Sequence, residues 1–327
     1  MINFDYTRPS TAALAVSSIA KDKTARFIAG GTNLVDLMKR GVMQPQKVID
    51  INALPLRQIE ERSGTIHLGA LALNSTVAEH SLVMKSAPLL RQALEAGASA
   101  QIRNMATIGG NLMQRTRCPY FYDTTLPCNK REPGTGCSAL KGYNRMHAIF
   151  GGNDQCIAVN PSDMNVALTA LDAVVVVQGP KAVRRIPIQN FHRLPGTTPH
   201  IDNNLQREEL ITGVQIPFSS YGSKSLYTKI RDRASYAFAL VSVAAVLQMD
   251  GTRIKDVKIA MGGVAHKPWR LTATEYALRG QVPTEALLVS AIAAGMQDAK
   301  GYGHNNFKKP LGSNTLLQSL KTLSGLA

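Results

Sequence analysis

The sequence predicts an α+β protein: a two-lobed domain over residues 1–218, with lobes at 1–54 and 55–218, then an α+β domain over 219–327 with an antiparallel sheet and helices. Three observations carry this expectation. Short β-branched runs alternate with amphipathic stretches as far as Pro217, the pattern of small strand–helix units. Beyond it, the apolar runs 239–248 and 257–261 flank Asp250-Gly251, a dipeptide suited to a hairpin turn. Two double-glycine loops, Gly30-Gly31 and Gly109-Gly110, lie one in each lobe.

In chain order, residues 2–6 read as a strand, and Ser10 stands where it would cap a helix running to Ala20. Residues 26–29 form a strand broken by Gly30-Gly31. Residues 33–40 make a short helix with Leu34, Leu37 and Met38 on one face and Gly41 at its end. A strand follows at 47–51. In the second lobe 65–71 is a strand, and 76–81 and 88–98 are helices. Ser162 or Asp163 caps a helix ending at Leu171, and 173–178, 183–188 and 211–216 are strands. The last domain has strands at 225–230, 239–248 and 257–261, helices at 271–278 and 284–294, and a weakly amphipathic helical tail from Leu316. Internal repeats and low-complexity segments are absent.

At 327 residues with 44% apolar composition, the chain can bury a sizeable core. The net charge of +15 could serve a nucleic-acid binder, but the basic residues are scattered, and no zinc-finger spacing or lysine-rich tail accompanies them. A solvated surface is the plain reading of that charge, and an anionic cofactor or acidic partner subunits are the sharper one. No apolar run is long enough for a membrane span, and the N-terminus lacks a secretory signal pattern. The chain is therefore expected to fold in the cytoplasm, reaching the periplasm only if exported with a signal-bearing partner. In the cytoplasm, free thiols or a metal site are favoured over disulfides.

The chemistry concentrates in residues 104–163. The loop Ala29-Gly30-Gly31-Thr32-Asn33 joins a strand to a helix, and Thr107-Ile108-Gly109-Gly110-Asn111 repeats its composition. Paired glycines permit φ > 0 and expose backbone N–H groups without a Cβ, which suits a phosphate and equally suits a plain structural turn. Neither loop is G-x-G-x-x-G or a P-loop. Two such loops in separate units suit a ligand with a diphosphate gripped between them. Ser162-Asp163 fits a helix cap, or a contact with ribose hydroxyls or a ring. Between the second loop and Pro161-Ser162-Asp163 lies an insertion, 112–161, that holds all four cysteines: Cys118, Cys128, Cys137 and Cys156. Four thiolates suit zinc or an iron–sulfur cluster, and unligated thiols are the plain alternative; the close C-x2–4-C pairs of structural zinc sites are missing. His147 could replace one ligand, or simply face solvent. Adjacent Ser162 and Asp163 cannot form a triad, and no G-x-S-x-G elbow is present.

Phe27-Ile28-Ala29-Gly30-Gly31-Thr32-Asn33, Ala106-Thr107-Ile108-Gly109-Gly110-Asn111 and Pro161-Ser162-Asp163, in this order, resemble the FAD-binding subunit of molybdenum hydroxylases: xanthine dehydrogenases, aldehyde oxidoreductases and carbon monoxide dehydrogenases. The resemblance covers nearly the whole chain and implies a vanillyl-alcohol-oxidase/PCMH-like FAD-binding domain. The insertion from Arg115 to Cys156, with 231–237, is similar to the flavin subunits of bacterial aldehyde oxidoreductases that also hold a [4Fe-4S] cluster.

That likeness implies that Phe27, Ile28, Ala29, Gly30, Gly31, Thr32 and Asn33 wrap the FAD diphosphate, with Ala106, Thr107, Gly110, Asn111 and Met113 on its second side. It further implies that Ser162 and Asp163 meet the ribityl–adenosine part and that Ile211 and Lys229 lie near the flavin. Cys118, Cys128, Cys137 and Cys156 would ligate the cluster. Where the family often carries an aromatic over the flavin, this chain has Gly97 or a neighbouring alanine. The implied assembly is a hetero-oligomer with a molybdenum-cofactor large subunit and a [2Fe-2S] small subunit, without nucleic acid or membrane, in which this subunit passes electrons through FAD to an external acceptor and is active only within the complex. The alternative from another class is a basic metal-binding scaffold or nucleic-acid-binding module with zinc at the four cysteines.

Overall fold

A computed structural model describes residues 1–218 and 224–326, so the domain boundary expected at 218/219 borders on a segment outside the described residues. The first lobe comprises β1 (Asp5–Thr7), α1 (Ala12–Lys21), β2 (Arg26–Ile28), α2 (Leu34–Lys39) and β3 (Lys47–Asp50), with a parallel sheet in the order β1-β3-β2. Helix α1 lays Ala15, Val16 and Ile19 against Ile49 and Ile51. Its cap is Thr11 rather than the expected Ser10. Thr11 has extended backbone, and its hydroxyl oxygen accepts the Leu14 N–H at 3.2 Å, a bond that Ser10 stands one residue too early to make.

The second lobe opens with β4 (Ile59–Arg62) and β5 (Thr65–Gly69). Helices follow: α3 (Asn74–Glu79), α4 (Ser81–Ser86), α5 (Pro88–Ala96), α6 (Ala100–Arg103), α7 (Ile108–Leu112), α8 (Pro119–Tyr122) and α9 (Asp163–Ala170). It closes with β6 (Val174–Gln178), β7 (Val183–Pro187) and β8 (Leu210–Pro217), forming an antiparallel sheet in the order β4-β5-β8-β6-β7. The single helix expected at 76–81 is two, because His80 turns the backbone extended and its ring Nδ1 accepts the Leu82 N–H at 3.3 Å.

The cysteine-bearing insertion contains only α8 and a 3-10 turn at Ser138–Leu140, yet it is well tied. Asn129 Oδ1 accepts the N–H groups of Gly134 (3.1 Å) and Gly136 (2.8 Å). Arg131 donates to the carbonyls of Tyr120 and Phe121. Arg145 forms a bidentate pair with Asp232 at 2.8 Å, reaching the last domain.

That domain comprises β9 (Ser225–Ile230), β10 (Val241–Asp250), β11 (Arg253–Gly262), β12 (Trp269–Arg270), α10 (Thr272–Leu278), α11 (Glu285–Met296) and α12 (Lys308–Ser324). Its antiparallel sheet runs β12-β11-β10-β9 and turns at Gly251, which has φ +56°. Successive side chains of a strand face opposite ways. Ala244 and Val246 of β10 accordingly join a core with α5 and α9, while Val243, Ala245 and Leu247 join one with α10, α11 and α12. Helix α9 sits at the centre of the molecule, all eight of its residues buried. Among the described residues no helix is long and apolar enough to cross a membrane.

Helix α12 begins eight residues before the expected start at Leu316. The reason lies in its buried stripe, which includes Lys308, Gly312, Thr315 and Ser319 and therefore does not read as apolar. Gly312 is needed for close approach, since a Cβ there would come within 3.0 Å of the Met261 methyl carbon. Pro310 is tolerated in the first turn, where its missing N–H has no intrahelical partner to lose. Lys308 donates to the carbonyls of Gly263 (2.8 Å) and His147 (3.1 Å).

Burial pushes the Lys308 pKa down to about 7, with the Arg145 charge adding to the effect. The unfolded chain keeps this proton up to the ordinary lysine range, whereas the folded chain releases it near 7. In that window the unfolded state binds more protons, so raising pH favours the fold. The expected result is a denaturation midpoint that climbs above pH 7 in the parent protein, with that component absent in Lys308→Met. Equal pH slopes in the two proteins would refute the assignment.

Candidate functional site

The first glycine loop lies against the residues that lead into the second. A Cβ on Gly30 would overlap the Met105 carbonyl oxygen, so only glycine lets the first lobe lie against the 104–106 segment of the second. Gly31 has φ +72° and turns the chain into α2. Ala29 is braced through its carbonyl, which accepts from Asn52 Nδ2 at 3.0 Å. Asn33 Oδ1 accepts the Arg115 N–H at 3.1 Å, while its Nδ2 is buried with no partner in the protein. An orphan amide donor beside a double-glycine turn fits a phosphate or other acceptor. Phe27 and Ile28 lie half-buried on β2, and Phe27 packs into the first-lobe core.

In the second loop, Thr107 caps α7 by accepting the Gly110 N–H at 3.2 Å. Gly109 serves packing, since a Cβ there would come within 3.1 Å of the Ala70 carbonyl oxygen. Asn111 Oδ1 accepts from Ser162 Oγ at 2.7 Å, and Ser162 Oγ in turn accepts the Asn165 N–H at 3.1 Å. Ser162 is therefore both the cap of α9 and its link to the second glycine loop. Ala106 accepts from Asn74 N at 2.9 Å through its carbonyl.

Asp163 is spanned by two donors of β9: Tyr227 Oη at 2.6 Å and Lys229 Nζ at 2.7 Å. Lys229 also donates to the Ala96 carbonyl at 3.0 Å, and Gly97 borders the carboxylate. Burial, together with the Asp163 charge, pushes the Tyr227 phenol well above its ordinary range. The pair ties α9, β9 and the end of α5 together. Asp163 also lines a cavity of about 180 Å³, along with Arg117, Cys118, His147, Ser162 and Phe238. Of the residues expected to contact the flavin, only Ser162 and Asp163 line it; Phe27 to Asn33, Ala106, Thr107, Gly110, Asn111, Met113, Ile211 and Lys229 do not. Ile211 is buried in the core on β8, and the exposed Met113 accepts at sulfur from Asn203 Nδ2 at 3.4 Å.

All four cysteines are free, and the insertion draws them together. Cys128 and Cys137 pair across an isolated antiparallel bridge, and Cys156 lies beside Cys137. Cys118 lies within range of the charges of Cys128 and Cys137, which add to the burial that pushes its thiol up to about 12. The neighbouring Cys156 lowers the Cys137 thiol, while the contact with Cys137 and burial raise Cys156. Among the described residues no three His, Cys, Asp or Glu side chains are grouped to hold a single metal ion. A cubane cluster binds each thiolate to a different iron and does not need them to meet at one point, so this donor set fits one.

Beside the cysteines, buried Lys130 pairs with Asp202, whose second oxygen takes Arg115 Nε at 2.7 Å. Burial opposes ionisation of Asp202, but the two cations prevail and hold its carboxyl at about 2. Arg117 bonds Asp36 at 3.0 Å and stacks on Phe238. Neither cluster was found from sequence, because the partners are far apart in the chain. Tyr227 could have been found from its place two residues before Lys229, on the same strand face.

Two glycine-loop lobes precede an antiparallel-sheet domain, and a cavity opens where the second lobe, its cysteine-bearing insertion and the last domain meet. Residues 2–219 match the family described as the FAD-binding domain in molybdopterin dehydrogenase, and residues 225–323 match the CO dehydrogenase flavoprotein C-terminal domain. The chain belongs to this family of FAD-binding molybdopterin dehydrogenase subunits. It is 48% identical over 97% of both chains to the aldehyde oxidoreductase FAD-binding subunit PaoB of Escherichia coli K12. It is 28% identical over 83% of its length, and 79% of the other's, to the glyceraldehyde dehydrogenase medium chain of Sulfolobus acidocaldarius. The solved carbon monoxide dehydrogenase of Hydrogenophaga pseudoflava shares the fold, with TM-score 0.78 at 24% identity over 99% of this chain and 98% of that one. The α+β expectation holds, and the reading as an oxidoreductase flavin subunit stands. The zinc-scaffold alternative finds no support in these matches.

Proposed function

We propose that the chain is the flavin subunit of an aldehyde-oxidising hetero-oligomer, receiving electrons from a [2Fe-2S] small subunit and passing them to an external acceptor. The molybdenum-cofactor large subunit would oxidise the substrate. We further propose a [4Fe-4S] cluster at Cys118, Cys128, Cys137 and Cys156. The aldehyde assignment rests on the 48% identity to an aldehyde oxidoreductase FAD-binding subunit. The observation that supports the cluster is that all four cysteines are free in one insertion, with Cys137 beside both Cys128 and Cys156, and Cys118 on the wall of the cavity that Ser162 and Asp163 also line.

FAD supplies one- and two-electron redox chemistry; the protein supplies position and electrostatics. Phe27 to Asn33 would hold the diphosphate on one side, and Ala106, Thr107, Gly110, Asn111 and Met113 on the other, with Asn33 Nδ2 as a free donor. Asp163 and Lys229, each neutralised by the other, would shape the wall beside the ring rather than present net charge. Ile211 would act from behind the wall, through packing.

The test is iron and flavin analysis of the purified chain, with each cysteine in turn changed to serine. Metal binding contributes folding energy to a segment with so little regular structure. Each variant is expected to lose iron and to loosen the insertion while keeping part of its flavin, because the glycine loops lie outside. Parent-level iron in all four variants would end the cluster proposal. For the electron path, the isolated chain should be inert to aldehydes, and the complex assembled with its partners should bleach its flavin on adding one. Multiple-turnover aldehyde oxidation by the chain alone would sink that part.

A further inference from the structure

Between Cys137 and Cys156 the insertion places a histidine against the cysteine group. His147 is buried, and its ring Nε2 lies 3.1 Å from Cys118 Sγ. Its backbone is clamped from three sides. The N–H bonds the Asn144 carbonyl at 3.0 Å, and its own carbonyl accepts from Lys308 Nζ at 3.1 Å and Asn305 Nδ2 at 3.3 Å. Both clamping side chains are buried, so the His147 backbone is held in place beside the sulfur. The other ring nitrogen, Nδ1, is buried without a partner, so no competing bond turns the ring elsewhere. His147 and Cys118 both line the cavity that holds Ser162 and Asp163.

A cysteine bound to iron is a thiolate, which only accepts hydrogen bonds. A contact at this distance therefore requires the proton on Nε2. The other tautomer would set two lone pairs face to face and leave an N–H buried with no acceptor. A hydrogen bond to a ligating sulfur withdraws electron density and favours the reduced cluster.

We propose that His147 donates its Nε2–H to the Cys118 sulfur and raises the reduction potential of the cluster, on the side facing the cavity that Ser162 and Asp163 line. The inference rests on the four-cysteine cluster reading above. It makes His147 a positioning residue for the electron path and not an iron ligand.

Two measurements on the intact, iron-replete protein test it. In protein labelled with ¹⁵N-histidine and reduced, pulsed EPR should show one weakly coupled histidine nitrogen. No coupling overturns the proposal, and so does a strong coupling, which would mean a direct iron–nitrogen bond. In an EPR-monitored redox titration, His147→Phe should lower the midpoint by about a factor of ten in the reduction equilibrium, about 59 mV for a one-electron couple. His147→Gln, which keeps a donor, should recover part of that shift. An unchanged midpoint in His147→Phe overturns the proposal. Should His147→Phe lose iron, the nitrogen coupling of the parent and the His147→Gln midpoint decide. Parent protein without iron marks failure of the cluster reading itself, a result visible before any histidine variant is made.

Discussion

Gly30→Ala is expected to strip FAD from the protein and to loosen the contact between its lobes. The new Cβ would overlap the Met105 carbonyl oxygen and stand 3.3 Å from Ala106 N. Both are backbone atoms, and the segment cannot yield easily. Ala106 N–H is bonded to the Ile102 carbonyl at 2.8 Å, and the Ala106 carbonyl takes Asn74 N–H at 2.9 Å. Overpacking of a closed site costs about 1–3 kcal/mol, and more when backbone must move. Gly31→Ala should do less. Its φ of +72° makes any side chain strained by about 1–2 kcal/mol, but the nearest neighbour, Val35 Cγ2, is a side-chain atom at 3.1 Å. Flavin-to-protein ratios and urea midpoints of both variants provide the check. Full flavin and an unshifted midpoint in Gly30→Ala would show that the lobes do not meet as described.

The second large effect is expected at the buried pair of Asp163 and Lys229, which are 9% and 4% exposed at their side chains. Lys229→Met leaves the carboxylate inside the protein with Tyr227 alone to satisfy it. Removing one partner of a buried pair costs about 3–5 kcal/mol, whereas replacing both can be nearly neutral. Lys229→Met should therefore destabilise strongly, and the double variant with Asp163→Asn should recover much of the loss. The cycle also separates two roles for Asp163. A strut loses stability and flavin together; a direct flavin contact would lose flavin in Asp163→Asn even after stability is restored. Strict additivity of the two single variants would remove the pair from the account of the interface.

What could be read in the sequence was local. The glycine loops, Ser162 as cap of α9 and the Asp250-Gly251 turn declare themselves through residues a few positions apart. The division of labour inside the loops did not. Gly30, not Gly31, makes the closest approach, because its neighbour Met105 belongs to the other lobe. Asp163 reads as a ligand contact until its partner, 66 residues away, is in view. Lys130 and Asp202 stand 72 residues apart and carry no periodic signature. Helix α12 hid its first turns because a buried lysine, a glycine and hydroxyl side chains occupy the positions where apolar residues would announce a helix.

Helix α9 has no outer face, and this has a mechanical consequence. The seam between the two family segments crosses a single chain link, but the interior does not divide there, because Val166, Ala244 and Ala260 belong to one core. The molecule should behave as one stiff body, so the spacing of residues on either side of α9 would be set at folding and not by a swinging hinge. Amide protons of α9 should then exchange with solvent only through global unfolding. Faster exchange in α9 than in β10 would reveal a joint where none is drawn.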